Sequence, residues 1–237
     1  MIGRGAQATR AMALPDRMAP MFPSHMPHRH MPHRHTIRIL PQPGQALALT
    51  FDDGPHHTNT PAMLDVLKAH DVRATFFVVG HNAERFPDIL KRMVDEGHEI
   101  GNHSYSHSDL REMEDTAILD EIDRTAEAVH RATGHSPILL RPPYGRLHDA
   151  QRDMIAEARG LSTVLWSVDP EDWRDPGADL VAERITAAAE PRAIVLGHDT
   201  KPGTVEAMPH VLAGLSDIGL RCTTISMGLE QIDWASL

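Results

Sequence analysis

From residue 46 onward, short apolar runs alternate with amphipathic stretches about seven times, and few folds accept that pattern. Strand-like runs lie at 46–51, 74–79, 99–102, 138–140, 161–167, 193–196 and 220–225. The run at 74–79 (ATFFVV) is apolar enough to be covered on both faces, as strands of a parallel sheet are. Between the runs, three sets of residues recur at helical spacing: Met63, Leu64 and Leu67; Phe86, Ile89, Leu90, Met93 and Val94; and Ile118, Leu119, Ile122 and Val129. Further helices are expected around Met154, Ile155 and Ala158, around Leu180, Val181 and Ile185, and over 205–218. Gly97, Gly134 and Gly160 stand where three of these helices should stop. Thr60 reads as the cap of the first helix, with Pro61 at its first position. Residues 36–40 read as an edge strand cut off by Pro41 and Pro43. The pattern predicts parallel βα units in a closed or nearly closed barrel, or in a doubly wound sheet.

The polar residues decide where such a fold would work. Asp52 and Asp53, His103 and His107, Arg141, Asp172 and Trp173, and His198 each follow the C-terminal end of a predicted strand. In barrels of parallel strands, that end carries the active site. Five strand ends converging on one face weigh more than any single motif.

The stretch Leu49-Thr50-Phe51-Asp52-Asp53-Gly54-Pro55 puts two carboxylates at a strand end, followed by a sharp turn. Successive strand side chains point to opposite faces, so the two acids should do different jobs. One could bind a metal while the other acts as a base; spacing leaves open which does which. An ordinary Asp-Asp-Gly turn is the alternative. His103-Ser-Tyr-Ser-His107 places two imidazoles at i and i+4, which would share a face and grip one ion if the piece is helical. Two histidines among 17 carry little weight alone, but an aspartate as third ligand would complete a site with positions open to water and substrate. Ser104 stands where a metalloprotease helix would carry glutamate, which excludes that class.

Arg141, stiffened by the two prolines after it, would hold a nearby carboxylate ionised and oriented, or form a structural ion pair. His198 could act as a general acid, with Asp172 raising its pKa if the two lie close. Trp173 could wall a sugar site or belong to the core. His56 and His57 read as rim residues beside the acidic pair.

Length and charge narrow the partners. The chain's 237 residues suit one barrel-sized domain. A formal charge of −10 argues against nucleic acid and against an anionic membrane surface. No apolar run approaches the roughly 20 residues of a membrane span. Cys222 is the single cysteine, so no internal disulfide forms, which fits a reducing compartment. The only apolar patch near the start, 11–14, is shorter than the about 7–15 residues of a secretory core, so a cytoplasmic location is expected. Residues 1–36 are dense in Pro, Met and His and end in the repeat MPHRH-MPHRH. They are expected to form a disordered tail ahead of a globular domain at 37–237, although histidine-rich tracts can bind metal.

With these residues in place, the chain resembles the polysaccharide deacetylases, carbohydrate esterase family four with its NodB homology domain. TFDDGP at 50–55, HSYSH at 103–107, RPPYG at 141–145, DPEDW at 169–173 and LGH at 196–198 match that family's motifs in order. Within it, the stretch LWSVDPEDWRDPGADL is most similar to the rhizobial chitooligosaccharide deacetylases. The resemblance implies a distorted (β/α)7 barrel acting on an oligo- or polysaccharide containing N-acetylglucosamine. It implies that Asp53, His103 and His107 hold a divalent metal, zinc first, with cobalt, nickel or manganese as alternatives. It implies that Asp52 is the base, paired with Arg141, and that the Tyr144 N–H helps bind the oxyanion. His198 would be the acid, tuned by Asp172, with Trp173 and Leu196 lining the acetyl pocket. Acetylxylan esterases and peptidoglycan deacetylases use the same machinery, and an inactive carbohydrate-binding protein is the alternative from another class.

Overall fold

The computed structural model describes residues 36–41 and 44–230. The expected tail lies outside the described residues apart from Thr36. The strands are β1 (Ala46–Asp52), β2 (Thr75–Val78), β3 (Glu99–Asn102), β4 (Leu139–Leu140), β5 (Ser162–Thr163), β6 (Ile194–His198) and β7 (Arg221–Thr223). Between and after them run α1 (Asn59–Ala69), α2 (Gly80–Arg85), α3 (Pro87–Asp95), α4 (Asp115–Thr133), α5 (Asp149–Arg159), α6 (Ala178–Ala188), α7 (Pro202–Asp217) and α8 (Ile225–Glu230).

All ladder pairings are parallel, in the order β5-β4-β3-β2-β1-β6, with β7 beside the first half of β1. From β1 to β5, neighbours in sequence are therefore neighbours in space, as in a barrel, while β6 and β7 both pair with β1. The ring is distorted where β5 should meet β6. There the expected edge strand at 36–40 acts as a wedge: Ile37 bridges Val164 in parallel and Ile39 bridges Ala193 antiparallel. Val168 adds a bridge to Val195. The ring thus closes through single bridges, which corrects the edge-strand expectation.

Alternation along β1 sorts its side chains. Leu47, Leu49 and Phe51 pack outward with Met63, Leu64 and Leu67 of α1, and with Val211 and Leu215 of α7. Ala48 belongs to a separate inner cluster with Phe77, Leu139, Val164 and Ile194. By the period of two, Thr50 and Asp52 share the inner face with Ala48, so Asp52 caps the interior column at the strand's C-terminal end.

Other expectations need correction. The helix read over 86–94 is α3, but a short helix not expected from the sequence, α2, precedes it: Phe86 takes a φ of −130° between the two, and Pro87 starts α3. Thr60 is not a cap. Helix α1 begins at Asn59, and the buried Thr60 hydroxyl instead accepts from the His56 N–H at 2.7 Å and donates to Asp199. The strand read at 220–225 ends at Thr223 and gives way to α8. Gly134 and Gly160 end α4 and α5 in the left-handed conformation, as expected. Among the described residues no helix is long and apolar enough to cross a membrane.

Candidate active site at the strand C-termini

Two adjacent acids diverge at the end of β1. Asp52 keeps strand geometry and stays buried. Asp53 turns to φ +74°, an uncommon conformation outside glycine, and this re-aims its carboxylate.

Asp52 meets Arg141, which follows β4 directly and is fully buried. The Arg141 Nη1 donates to Asp52 Oδ1 at 2.8 Å and to Thr50 Oγ1 at 2.7 Å. The Thr50 hydroxyl in turn donates to the Val195 carbonyl at 2.6 Å. The guanidinium lies over the Phe77 ring at 4.2 Å. A sealed cation bonded at Oδ1 orients the carboxylate and leaves Oδ2 for other work; that oxygen lies 3.7 Å from His103 Nε2.

Asp53 meets the two histidines. Its Oδ1 lies 3.4 Å from His103 Nε2 and 3.2 Å from His107 Nε2. That oxygen is buried and lacks a hydrogen-bond partner. His103 Nδ1 donates to the Arg141 carbonyl at 2.7 Å, and a carbonyl can only accept. The neutral ring therefore carries its proton on Nδ1 and presents a bare lone pair at Nε2. One ligand atom each from Asp53, His103 and His107 lie within 4.8 Å of one another. An orphaned carboxylate oxygen facing two imidazole nitrogens is a donor set suited to a divalent cation, with positions left for water and substrate. Burial raises the Asp53 carboxyl, but the facing imidazoles of His103 and His107, with the charge of His198, outweigh it and hold the group well below the usual carboxylate range. Burial disfavours charge on His103, yet Asp52 and Asp53 push its pKa up.

The His103–His107 segment is not helical, which overturns the i, i+4 expectation. Ser104 and His107 adopt φ of +61° and +60°, and this irregular loop brings the ring centroids to 5.0 Å. Asn102 Oδ1 accepts the Ser104 N–H at 2.9 Å, and Ser104 Oγ accepts the His107 N–H at 3.1 Å.

On the other side of β1, His198 ends β6 in register with Asp52. Its Nδ1 bonds Asp172 Oδ1 at 2.7 Å. Asp172 is buried, and its Oδ2 accepts the His198 N–H at 2.8 Å and the Thr204 hydroxyl at 2.6 Å. Burial opposes protonation of His198, but the Asp172 bond and charge, with the charges of Asp52 and Asp53, push its pKa up to about 9. The imidazolium therefore persists through neutral pH, with Nε2–H left free of Asp172.

The remaining expected residues lie around this cluster. Tyr144 is 60% exposed at φ +59°, its ring 4.8 Å from that of His107. Trp173 is 46% exposed beside Asp172, with the Arg174 guanidinium 4.5 Å over its ring, so it is not a core tryptophan. Leu196 is a buried residue of β6 two positions before His198. The rings of His56 and His57 lie 4.4 Å apart, tilted by 44°, beside the acidic turn and outside the ligand cluster.

Thr50, Thr204 and Asp199 escaped the sequence reading. The signal for Asp199 was an acid directly after a strand-end histidine. It is fully buried, bonded to Thr60, and burial pushes its pKa up to about 7. Any side chain at Gly54 would collide with its carboxylate, so that turn needs glycine.

A barrel mouth with a cation-ready triad between a carboxylate–arginine pair and a histidine–aspartate pair defines a class: α/β barrels equipped for acid–base chemistry beside a metal. Residues 40–164 match the family model described as polysaccharide deacetylase, and the chain belongs to that family. It is 40% identical over 183 residues to a peptidoglycan-N-acetylglucosamine deacetylase of Bacillus cereus, covering 76% of this chain and 66% of the relative. It is 43% identical over 161 residues to a chitooligosaccharide deacetylase of Bradyrhizobium, covering 67% and 72%. The solved structure of the Bc1960 peptidoglycan N-acetylglucosamine deacetylase superposes with a TM-score of 0.80 at 36% identity, over 83% of this chain and 94% of that one. The chain spans 38 to 66% of the length of several curated relatives it matches.

Proposed function

We propose that this chain is a metal-dependent hydrolase that removes N-acetyl groups from the N-acetylglucosamine units of a chitooligosaccharide or related glycan, releasing acetate. The reading is carried by the orphaned Asp53 Oδ1 facing His103 and His107, with Asp52–Arg141 and His198–Asp172 on either side. Relatives whose names state deacetylation of chitooligosaccharide or peptidoglycan support it.

Asp53, His103 and His107 would hold the cation, zinc first and cobalt, nickel or manganese otherwise; bound there, it supplies a Lewis acid for the acetyl carbonyl and for a water. Asp52 takes a proton from the attacking water through Oδ2, while Arg141 fixes Oδ1 and keeps the carboxylate oriented. The Tyr144 N–H hydrogen-bonds the oxygen that gains negative charge in the tetrahedral transition state. His198, protonated at neutral pH and oriented by Asp172, gives a proton to the departing amine, which leaves as glucosamine. Trp173 and Leu196 line the space for the acetyl group and the sugar ring.

Peptidoglycan is the second substrate reading, favoured by the Bacillus cereus relative. Acetate release is measured from N-acetylglucosamine tetramer and pentamer, from peptidoglycan fragments and from acetylxylan, with chelated and zinc-restored protein. Zinc-dependent release from the oligomers supports the proposal. Release from peptidoglycan or acetylxylan alone reassigns the substrate. Binding of oligomers without release from any of them makes the chain a carbohydrate-binding protein.

A further inference from the structure

The geometry points to Glu121 as a positioning residue for the cation site, acting through the loop that carries both histidines. The inference rests on the reading of Asp53, His103 and His107 as ligands. Glu121 lies in α4 on the face formed by Ile118, Ile122, Thr125 and Val129, and is only 7% exposed. A carboxylate on the buried stripe of a helix demands partners. Here the partners are the middle of the histidine loop. Glu121 Oε2 accepts the N–H groups of Tyr105 at 2.9 Å and Ser106 at 2.7 Å, and Oε1 accepts the Ser106 hydroxyl at 2.9 Å.

The loop needs such a clamp. Ser104 and His107 both sit in the left-handed region, which L-residues with a Cβ disfavour. Relaxing either one would swing the imidazoles apart. All four N–H groups from Ser104 to His107 are held by side chains: one by Asn102, one by Ser104 itself and two by Glu121. The loop carbonyls of Ser104 and Tyr105 accept from Gly80 at 2.9 Å and His81 at 3.1 Å, at the start of α2. A Cβ at Gly80 would come within 2.5 Å of Thr125 Oγ1 and 2.6 Å of the Tyr105 ring, so α2, α4 and the loop are already at closest approach. Glu121 is the charged acceptor in this set, and bonds to an ionised acceptor are shorter and stronger than neutral ones. It touches neither ion nor substrate; it keeps His103 and His107 where their lone pairs meet Asp53.

The test is competition titration of Zn2+ against a chromophoric chelator on the full chain, with Co2+ absorption reporting ligand geometry. Glu121→Ala is expected to weaken Zn2+ binding by about 10–100-fold, the range for losing a group that orients a ligand, and to alter the Co2+ band. Glu121→Gln can still offer an oxygen to both N–H groups and turn its NH2 to the Ser106 hydroxyl, so it is expected to recover most of the affinity. Should Glu121→Ala fail to fold, Glu121→Asp draws the carboxylate back by one methylene and is expected to lose about tenfold. Wild-type Zn2+ affinity in a folded Ala or Asp variant overturns the role. A wild-type chain that binds neither Zn2+ nor Co2+ overturns the cation site itself instead.

Discussion

The two sides of the site that meet at Asp52 and Asp53 are held by different means. On the Asp52 side, a fully buried guanidinium bonds Thr50 and Asp52 of β1 and the carbonyls of Val164 and Leu165 just past β5, so its partners lie on or next to the strands of the barrel. On the Asp53 side, the side chains are a quarter to a third exposed at His107 and Asp53, and the backbone is a loop with left-handed residues. On the proposed roles, the barrel would supply a rigid proton-transfer carboxylate, and a hydrogen-bonded loop would supply two of the cation's ligands. Damage to the first side should therefore cost stability and turnover together, and damage to the second should cost metal first.

The sharpest contrast sets Asp52→Asn against His103→Ala. Asp52→Asn is expected to keep the metal and lose about 10²–10⁴-fold in turnover, the usual contribution of a positioned base. It also leaves Arg141 as an uncompensated buried charge, which costs about 3–5 kcal/mol of stability. His103→Ala is expected to lose both bound Zn2+ and acetate release. Zinc content by elemental analysis, turnover and denaturant midpoints on the two variants check this. An active Asp52→Asn protein would remove the base assignment and with it the division of labour between the acids.

A pH series probes the third element, His198, which pairs with Asp52 through the β1–β6 ladder and feels the charges of both acids. Its pKa is raised to about 9 in the folded protein against an ordinary 6.5. A raised histidine pKa contributes stability that is fully present below about 6.5 and is lost as pH rises through about 9. The basic limb of turnover should follow the same ionisation if His198 gives the amine its proton, as proposed. A bound cation repels the imidazolium and moves the limb below 9 without reversing its direction. Asp172→Asn is expected to move the limb down toward the ordinary histidine value and to lower turnover at neutral pH, because the charge that holds the proton is gone. A basic limb that stays fixed in Asp172→Asn, measured from pH 6 to 10, would detach His198 from the acid role.

The same contrast explains what the sequence revealed. Asp52, Asp53, His103, His107, Arg141, Asp172 and His198 were legible because chemistry depends on residue type, and each follows a strand whose apolar run marks its end. The means of support were less legible. His103 and His107 suggested a helix by their spacing, but positive φ at Ser104 and His107 has no mark in a stretch without glycine. Asn102 and Ser104 hold two of the loop's N–H groups locally, but its middle is held by α4 and α2, remote in sequence, so no local pattern announces those partners. Glu121 did leave a trace, as a charge on the apolar stripe between Ile118 and Ile122. The wedge at 36–40 was not legible because an extended pentapeptide cut off by prolines looks alike at a sheet edge and in a barrel seam.

The smallest expected effects test the comparison most cleanly, because the same atom is removed on both sides. Thr50 Oγ1 and Ser106 Oγ are hydroxyls that bond an element of the site to the scaffold. Thr50 is buried on the rigid side, and its oxygen takes Arg141 and gives to Val195. Thr50→Val keeps the shape and strips both bonds, so a buried guanidinium N–H and a buried carbonyl each lose a partner that water cannot replace. The expected cost is about 1–3 kcal/mol, read as a lower denaturant midpoint at unchanged slope. Ser106 is exposed in the ligand loop, where water can take over from its hydroxyl. Ser106→Ala should stay within about 0.5 kcal/mol in stability and leave the Tyr105 and Ser106 N–H bonds to Glu121 intact. Equal losses in the two variants would mean that the loop is as rigidly built into the fold as the strand, and the two sides would no longer differ in kind.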